Sequence, residues 1–332
     1  GLLKWPIERH TKNASEQLVI GPPVPLGKRS DMGLSFMDMS SNGDFFAAQT
    51  ADLSRAVVVD AAQQRTTVLS DGSDRSFIAV SPDGRRVARG NYGLSGVEVW
   101  DVQAGKIVQT WPVEGSASVA FSPDGRWLVI AAKVYQFLET GSWQRRHSIP
   151  GIGGGNQGGR MAFSNDGQMM AITLACNLVQ LIETDTGRAL AELQVTPKPS
   201  WVQWLSFSAD GSRLAVACGR EGIRVWDLRR VRQRLGTMQL DWDMPPYPAA
   251  AQVADHKPLE VLVDLGMLAG VLHLERCRTH LRAGRLLEAL DEANQAVELN
   301  HSDPEAVHLG ARGPSALTHD EQASEDCSSG SW

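Results

Sequence analysis

Glycine spacing offers one candidate for chemistry in this chain, a loop that could bind phosphate. Gly153, Gly155 and Gly158 satisfy the pattern GxGxxG within residues 151–159. In a dinucleotide-binding protein such a loop follows a strand and opens a helix, whose N-terminus then receives the phosphate. Here the residues that follow, 160–163, read as a strand. We therefore interpret the glycine run as a flexible loop and predict no cofactor.

Possible metal ligands are scattered along the chain. His273 with His280, and His301 with His308, lie seven residues apart, a spacing that can place two imidazoles on one helical face. Neither an HExxH motif nor a Cys/His cluster accompanies them, and the four cysteines show no CxxC spacing. The sequence therefore predicts no metal site, and free thiols of the kind found in a reducing compartment.

The charge distribution argues against nucleic acid and membranes as partners. The net charge of -6 gives no general attraction for polyanions. Five arginines between residues 224 and 234 lack interleaved aromatic residues other than Trp226, and Asp227, Asp241 and Asp243 lie nearby, so a solvated helix face is favoured. No signal peptide is visible, and no apolar run approaches the roughly 18 residues of a transmembrane helix. We predict a cytoplasmic location.

The elements that must position any functional residue are set by a repeat. Five times a hydrophobic run ends in Ser and a tight turn. The turn glycines are Gly43, Gly84, Gly125, Gly167 and Gly211, which lie 41 to 44 residues apart. Asp-Gly or Asn-Gly between two apolar runs predicts a β-hairpin, and a constant period of this size indicates a stack of repeated sheets.

A second motif returns downstream of each turn, a bulky apolar residue followed by an acid. The five pairs are Val59-Asp60, Trp100-Asp101, Leu138-Glu139, Ile182-Glu183 and Trp226-Asp227. With one further turn and strand, each unit predicts four antiparallel strands, which is the blade of a β-propeller. Residues 1–242 resemble the WD40 family, whose Trp-Asp dipeptide is intact twice. The Gly-His dipeptide of that family is absent, so we expect apolar packing to hold the blades.

The fold class predicted is mainly β, a WD40-like β-propeller of five full blades plus a partial one. The blades are predicted at residues 33–69, 75–112, 116–150, 158–195 and 201–242, after a partial blade at 1–27. A Pro-rich linker at 243–258, a helical segment at 259–312 and a disordered tail at 313–332 follow. Because the chain opens with a half blade and an open propeller exposes strand edges, we expect a fragment whose missing strands lie upstream.

The helical segment resembles a second type of repeat. Residues 281–297 carry Gly284 at an inter-helix turn and Ala289 and Ala296 where two helices would touch, and they resemble a tetratricopeptide repeat (TPR). The resemblance implies an α-helical hairpin. One such unit cannot bury its apolar face, so either residues 259–272 pack against it or further repeats follow.

The predicted innermost strands of the blades offer little for catalysis. They are residues 33–40, 76–80, 117–121, 160–163 and 202–207. Apart from Asp38 they hold no carboxylate or imidazole, so neither paired acids nor a Ser/His/Asp or Cys/His set can be assembled. The sequence predicts no catalytic residue in this chain.

Recognition by loops on a rigid scaffold is the remaining prediction. Tyr, Trp and Arg are the residue types that anchor interfaces. The candidate partner-binding residues, expected in loops on one face, are Asp74, Arg75, Arg89, Tyr92, Arg160, Lys198, Trp201, Arg220 and Glu221.

Together the two modules resemble the C-terminal regions of bacterial proteins with WD40 and tetratricopeptide repeats, notably serine/threonine protein kinases. That resemblance implies a non-catalytic scaffold that recruits other proteins or peptides for a larger signalling protein. The kinase motifs themselves are absent from this chain. The alternative is a propeller hydrolase or lyase with Asp74 or Glu221 as a loop-borne acid or base.

Overall fold

The structure, a computed structural model, consists of two compact units. One unit comprises residues 26–252, and the other combines residues 2–25 with residues 253–332. The structure describes residues 2–12, 15–26, 34–50, 55–63, 65–71, 76–91, 96–151, 159–196, 201–247, 260–266 and 268–299.

The N-terminal residues form two pairs of strands. These are β1 (Leu2–Lys4), β2 (Ile7–Lys12), β3 (Ser15–Ile20) and β4 (Val24–Leu26). β2 and β3 form an antiparallel hairpin, and β1 pairs with β4. This is the range in which the sequence predicts a partial blade.

Four sheets of four strands follow, which we call blades 1 to 4. Blade 1 contains β5 (Leu34–Met39), β6 (Phe45–Thr50), β7 (Arg55–Asp60) and β8 (Arg65–Asp71), and blade 2 contains β9 (Ser76–Val80), β10 (Arg86–Asn91), β11 (Val97–Asp101) and β12 (Lys106–Trp111). Blade 3 contains β13 (Ser118–Phe121), β14 (Trp127–Ala131), β15 (Val134–Glu139) and β16 (Gln144–Pro150), and blade 4 contains β17 (Met161–Phe163), β18 (Met169–Ala175), β19 (Leu178–Glu183) and β20 (Ala189–Gln194). Each strand pairs antiparallel with the next, so the WD40-like propeller architecture is confirmed.

Blade 5 has three strands in the part of the chain that the structure describes. They are β21 (Trp204–Phe207), β22 (Arg213–Ala217) and β23 (Ile223–Asp227), with a 3-10 turn at Gly219–Glu221. Helix α1 (Leu228–Thr237) follows directly, in the segment whose arginines were expected on a helix face. It starts here because the Asp227 side chain accepts the backbone N–H of Arg230 at 3.2 Å, which caps the helix.

One set of hydrogen bonds closes the first turn of every blade. In blade 3 the Ser122 hydroxyl donates to Asp124 at 2.5 Å and accepts the Trp127 backbone N–H at 2.9 Å. Gly125 lies at φ +73°, and its N–H donates to the Ser122 carbonyl. The other four blades repeat these contacts, with Asn42 in place of the aspartate in blade 1. The serine therefore holds the first two strands of each blade in register.

The third strand of each blade packs on the next blade. In blade 2, Val97 and Val99 are 1% and 0% exposed and share a cluster with Leu128 and Ile130 of blade 3. The same two positions are buried between the other successive blades, at Ala56 and Val58, Tyr135 and Phe137, and Val179 and Leu181. Blade cohesion is thus apolar, as the missing Gly-His dipeptides led us to expect.

The described start of the predicted linker packs on blade 5. The Arg232 guanidinium lies 5.3 Å from the Trp242 ring and 5.7 Å from the Tyr247 ring, and it donates to the Met244 carbonyl at 2.8 Å. Residues 243–247, placed in the linker from their prolines, therefore belong with the propeller, because this arginine binds their carbonyl groups and rings.

The second unit also contains a helical hairpin. β24 (Glu260–Val263) pairs parallel with β3, and α2 (Leu268–Arg282) and α3 (Leu286–Leu299) follow. Cys277, Ala289 and Ala293 are fully buried where the two helices meet. The predicted α-helical hairpin is confirmed, and the predicted tail at 313–332 lies outside the described residues. Within the described residues, no helix combines the length and apolarity needed to cross a bilayer.

His147 on β16 is held in an aromatic cluster. Its ring stacks on Phe137 with centroids 4.1 Å apart and lies edge-on to Trp127 at 5.8 Å. Its Nε2 is buried without a hydrogen-bond partner among the described residues. Burial lowers the pKa of His147, and the opposing attraction of Asp185 is the smaller effect.

We expect Ser122→Ala to lower the free energy of unfolding by about 1–3 kcal/mol, because a buried N–H and a carboxylate each lose a partner. Urea denaturation followed by tryptophan fluorescence measures this change. Ser206→Ala is the control, since that hydroxyl is exposed and has one long contact at 3.5 Å. A loss no larger than that of the control contradicts the role of the turn.

We expect the stability of the propeller to fall as the pH drops below about 6.5, the ordinary pKa of histidine. The folded chain binds a proton at His147 less readily than the unfolded chain, so acidification favours unfolding. His147→Phe keeps the ring stacking and should flatten the loss of denaturation midpoint between pH 8 and pH 5. His10→Gln, at an exposed site, is the control. An unchanged pH profile in His147→Phe contradicts the assignment.

Candidate functional site

The first strands of the five blades surround a cavity of about 250 Å³. Each blade contributes to its lining, for example Asp38 of blade 1, Phe77 of blade 2, Ser118 of blade 3 and Trp204 of blade 5, while Arg160 lies just before β17 of blade 4. These are the strands predicted to be innermost, and we call the cavity that they surround the channel. Among its described lining residues, Asp38 and Arg160 carry charge.

Arg160 is fixed by its backbone. The Arg160 N–H donates to the Thr173 hydroxyl at 2.9 Å, and its carbonyl accepts the Thr173 N–H at 3.0 Å and the Tyr135 hydroxyl at 3.2 Å. The guanidinium lies 4.9 Å from the centroid of the Phe77 ring on blade 2. The cation is thus placed in the channel by residues of three blades.

Tyr135 supports the position of Arg160 by joining blade 3 to blade 4. Its hydroxyl donates to the Thr173 carbonyl at 2.8 Å and accepts the Thr173 N–H at 3.1 Å, which joins blade 3 to blade 4. Burial raises the pKa of Tyr135 to about 12, so the hydroxyl remains a donor. Position 159 must be glycine, because a Cβ there would lie 2.1 Å from the Tyr135 hydroxyl.

Asp38 is the second charged residue that lines the channel. Its carboxylate accepts the Val80 backbone N–H at 2.7 Å, which ties the first strand of blade 1 to the first strand of blade 2. Burial raises the pKa of Asp38, partly offset by that hydrogen bond. The Asp38 carboxylate therefore links blade 1 to blade 2.

The channel is suited to binding. Besides the two charged groups it offers the Phe77 ring, the Trp204 indole, which is 57% exposed, and the Ser118 hydroxyl, which has no partner among the described residues. No nucleophile with an adjacent base lines it, and the described residues contain no group of three or more potential metal ligands. A cation next to aromatic surface is the chemistry by which proteins hold an acidic or polar side chain.

The structure places the predicted partner-binding residues in different environments. Asp74, Arg75, Tyr92 and Lys198 lie outside the described residues. Arg160 lies in the channel, and Trp201 and Glu221 are exposed. Arg220 lies in the 3-10 turn of blade 5.

Arg89 was expected in an exposed loop, but the structure places it in a buried part of a strand. It lies within β10 and is 6% exposed, with its guanidinium 3.8 Å from the Glu98 carboxylate on the neighbouring strand. The strand extends further than the sequence suggested because Val87 to Asn91 pair along β9.

Trp201 and Glu221 approach one another at the rim of blade 5. A Cβ built on Gly219 would lie 3.5 Å from the Trp201 indole nitrogen and 3.2 Å from a Glu221 carboxylate oxygen. Gly219 has φ +58°, so both the backbone and the space favour glycine there. The structure thus brings these two predicted residues together.

Phe77, Tyr135 and Trp204 are site residues that the sequence did not indicate. Phe77 and Trp204 sit at the starts of innermost strands, which was visible from the repeat, but their side-chain direction was not. Tyr135 lies on a third strand, and its tie to Arg160 spans 25 residues. Only the packing of blade 3 against blade 4 reveals it.

The comparisons with known proteins support a repeat of WD type in part of this chain. Part of this chain is similar to WD repeat-containing protein SL1-17 of Schistosoma mansoni, with 28% identity over 140 residues, which is 41% of this chain and 44% of that protein. The match thus covers less than half of that relative's length. Among solved structures, hydrazine synthase of Kuenenia stuttgartiensis shows 22% identity and a TM-score of 0.48 over 57% of this chain and 56% of its own. No model of a protein family matches.

We expect Tyr135→Phe to lower the free energy of unfolding by about 1–3 kcal/mol, because the Thr173 N–H and carbonyl lose a buried partner. Urea denaturation measures this change. Tyr247→Phe is the control, because the Tyr247 hydroxyl is buried without a hydrogen-bond partner among the described residues. A loss in Tyr135→Phe no larger than that of the control would contradict a direct link between these blades.

Proposed function

We propose that this chain is a non-catalytic scaffold for protein–protein interaction, and that it receives a segment of a partner protein at the channel mouth. One observation carries the proposal. The channel combines a positioned cation, Arg160, with the aromatic surfaces of Phe77 and Trp204, and its lining has no acid and base placed for chemistry.

The predicted site residues fit this proposal to different degrees. Arg160 and Trp201 are the contacts that we favour, with Glu221 beside Trp201 at the rim. Asp74, Arg75, Tyr92, Lys198 and Arg220 remain proposed contacts. Arg89 is buried against Glu98 and serves the fold instead. Because the cation is inside the channel, we infer that the partner segment presents an acidic or amide side chain to it.

Similarity to a protein named for its WD repeats supports the general role of an interaction domain. We infer more specifically that the chain serves as the recruiting part of a larger cytoplasmic signalling protein, such as a bacterial serine/threonine kinase. The features that support this are the joining of a WD40-like region to a helical hairpin and, within the hairpin, Gly284, Ala289 and Ala296 at the positions that resemble a tetratricopeptide repeat.

Site-specific photo-crosslinking tests the proposed face. A photoreactive amino acid at position 201 should crosslink a discrete set of proteins in an extract of the source cells, whereas the same group at Arg145, exposed on an outer strand, should not. Arg160→Gln should reduce the crosslinked yield at position 201 by at least about tenfold if the cation holds the partner.

Two outcomes would contradict the proposal. Equal crosslinking from positions 201 and 145 would remove the binding face. Turnover of a hydrolase or lyase substrate panel, abolished by Asp74→Asn or Glu221→Gln, would favour the propeller enzyme instead.

A further inference from the structure

A second cavity lies between blade 4 and blade 5, on the side of their first turns. Its volume is about 310 Å³, comparable to the smaller ligand pockets of proteins. Blade 4 contributes residues of the turn at 164–169, and blade 5 contributes the turn at 209–211. Arg232 of α1 and the segment 242–247 complete the wall. The described residues that line this cavity are all different from those that line the channel.

Tyr247 lines this cavity, and its hydroxyl is buried without a hydrogen-bond partner among the described residues. The ring packs on the first turn of blade 5, where a Cβ built on Gly211 would lie 3.8 Å from a ring carbon. Burial raises the pKa of Tyr247 to about 12, so the hydroxyl stays neutral and can both donate and accept. A buried hydroxyl is normally hydrogen-bonded, so a polar ligand atom would supply what the chain leaves out.

An anionic ligand is disfavoured, because the cation in the described lining is already engaged. The Arg232 Nε donates to the Asp241 carboxylate at 3.0 Å, and the two terminal nitrogens donate to carbonyl groups of segment 242–247 at 2.6 to 3.1 Å. Four of the five N–H groups of the guanidinium are thereby used.

Asp166 in the blade 4 turn is the lining carboxylate that has no cation beside it. Its Oδ1 accepts the Ser164 hydroxyl at 2.6 Å and the Gln168 N–H at 3.1 Å, which leaves Oδ2 for a ligand. The other lining carboxylate, Asp210, is paired with Arg229 at 2.8 Å. With both arginines paired to aspartates, the cavity carries one negative charge in excess, which favours a monovalent cation.

The position of Asp166 relative to Tyr247 suggests which cation fits. The Asp166 charge contributes to the raised pKa of Tyr247, after burial, so the two groups lie near each other. Met169 and Met244 provide apolar wall for an aliphatic chain. We propose that this cavity binds a primary alkylammonium group, which donates to the Asp166 carboxylate and to the Tyr247 hydroxyl. Such a group has three N–H donors and no acceptor, and a lysine side chain of a partner protein and a free amine share this chemistry.

The aromatic rings of the cavity do not form a cage for a methylated cation. The Arg232 guanidinium already lies 5.3 Å from the Trp242 ring and 5.7 Å from the Tyr247 ring. Recognition therefore depends on N–H donors. A trimethylated ammonium group has none and should bind more weakly, and the proposal does not depend on a partner in the channel.

Fluorine NMR of the full chain labelled with 3-fluorotyrosine tests the proposal. The chain has three tyrosines, so Tyr247→Phe assigns the Tyr247 resonance, and the Tyr135 resonance is an internal control. We expect Nα-acetyl-lysine methylamide to shift the Tyr247 resonance saturably. The norleucine derivative, which lacks the ammonium group, and the trimethyl-lysine derivative should bind at least about tenfold more weakly.

A second probe, n-butylamine, distinguishes the two sources of the ammonium group. Binding as tight as that of the lysine derivative indicates a free amine as the ligand. Binding of the lysine derivative alone indicates a lysine side chain of a partner protein, since backbone groups then contribute. Both results support an ammonium site.

Variants of the full chain, measured by calorimetry, assign the binding to these residues. Asp166→Asn should weaken binding of the lysine derivative by at least about tenfold. It removes the charge and keeps the turn, because blade 1 closes the same turn with Asn42. Asp83→Asn, at the same position of blade 2, is the control. Tyr247→Phe should weaken binding at least about threefold without lowering stability, since its hydroxyl bonds to nothing in the described chain.

Three results would overturn the proposal. The first is a Tyr247 resonance that neither probe shifts at about 20 mM, far above the range of a specific site. The second is equal binding of the norleucine or the trimethyl-lysine derivative, because the cavity would then not recognise N–H donors. The third is full affinity in Asp166→Asn or in Tyr247→Phe.

Discussion

The rest of the propeller depends on the hydrogen bonds that a serine hydroxyl makes at the first turn of each blade. The hydroxyl donates to the aspartate or asparagine two residues later and accepts the N–H five residues later, so one small group closes the hairpin from inside. The turn glycine is needed because the backbone there has φ near +70°. Fixed in this way, the first two strands of every blade present the same residues to the channel and to the neighbouring blade.

Regular blades then pack by a simple rule. Two apolar residues on the third strand meet the first and second strands of the next blade, as Val97 and Val99 do on blade 3. The rule uses side chains of very different size, from alanine to tyrosine, because the partner residues on the next blade vary with them. Apolar contact holds successive blades together, and individual hydrogen bonds such as Tyr135 to Thr173 or Asp38 to Val80 join particular blades.

The proposed binding surface in the channel arises where the chain departs from its own repeat. At the channel, an arginine stands at the start of an innermost strand where its neighbours carry small or apolar residues, and Tyr135 and the glycine at 159 hold it there. Positions in which a repeat protein breaks its own pattern are where recognition is expected.

The sequence alone determined the repeat, its five turns and the strand that follows each of them, because Asp-Gly turns and alternating apolar runs are local signals. It also indicated α1 and the helical hairpin, whose apolar spacing is helical. Some of the channel residues could be predicted from the sequence, because Asp38 and Arg160 lie in segments that the repeat marks as innermost strands. What only the tertiary structure decided is contact between different elements: that Arg89 is buried against Glu98 of the neighbouring strand, that Tyr135 of blade 3 holds Arg160 of blade 4, and that Arg232 of α1 binds residues 242–247. These contacts depend on side-chain direction and on the packing of segments far apart in the chain, which no local pattern encodes.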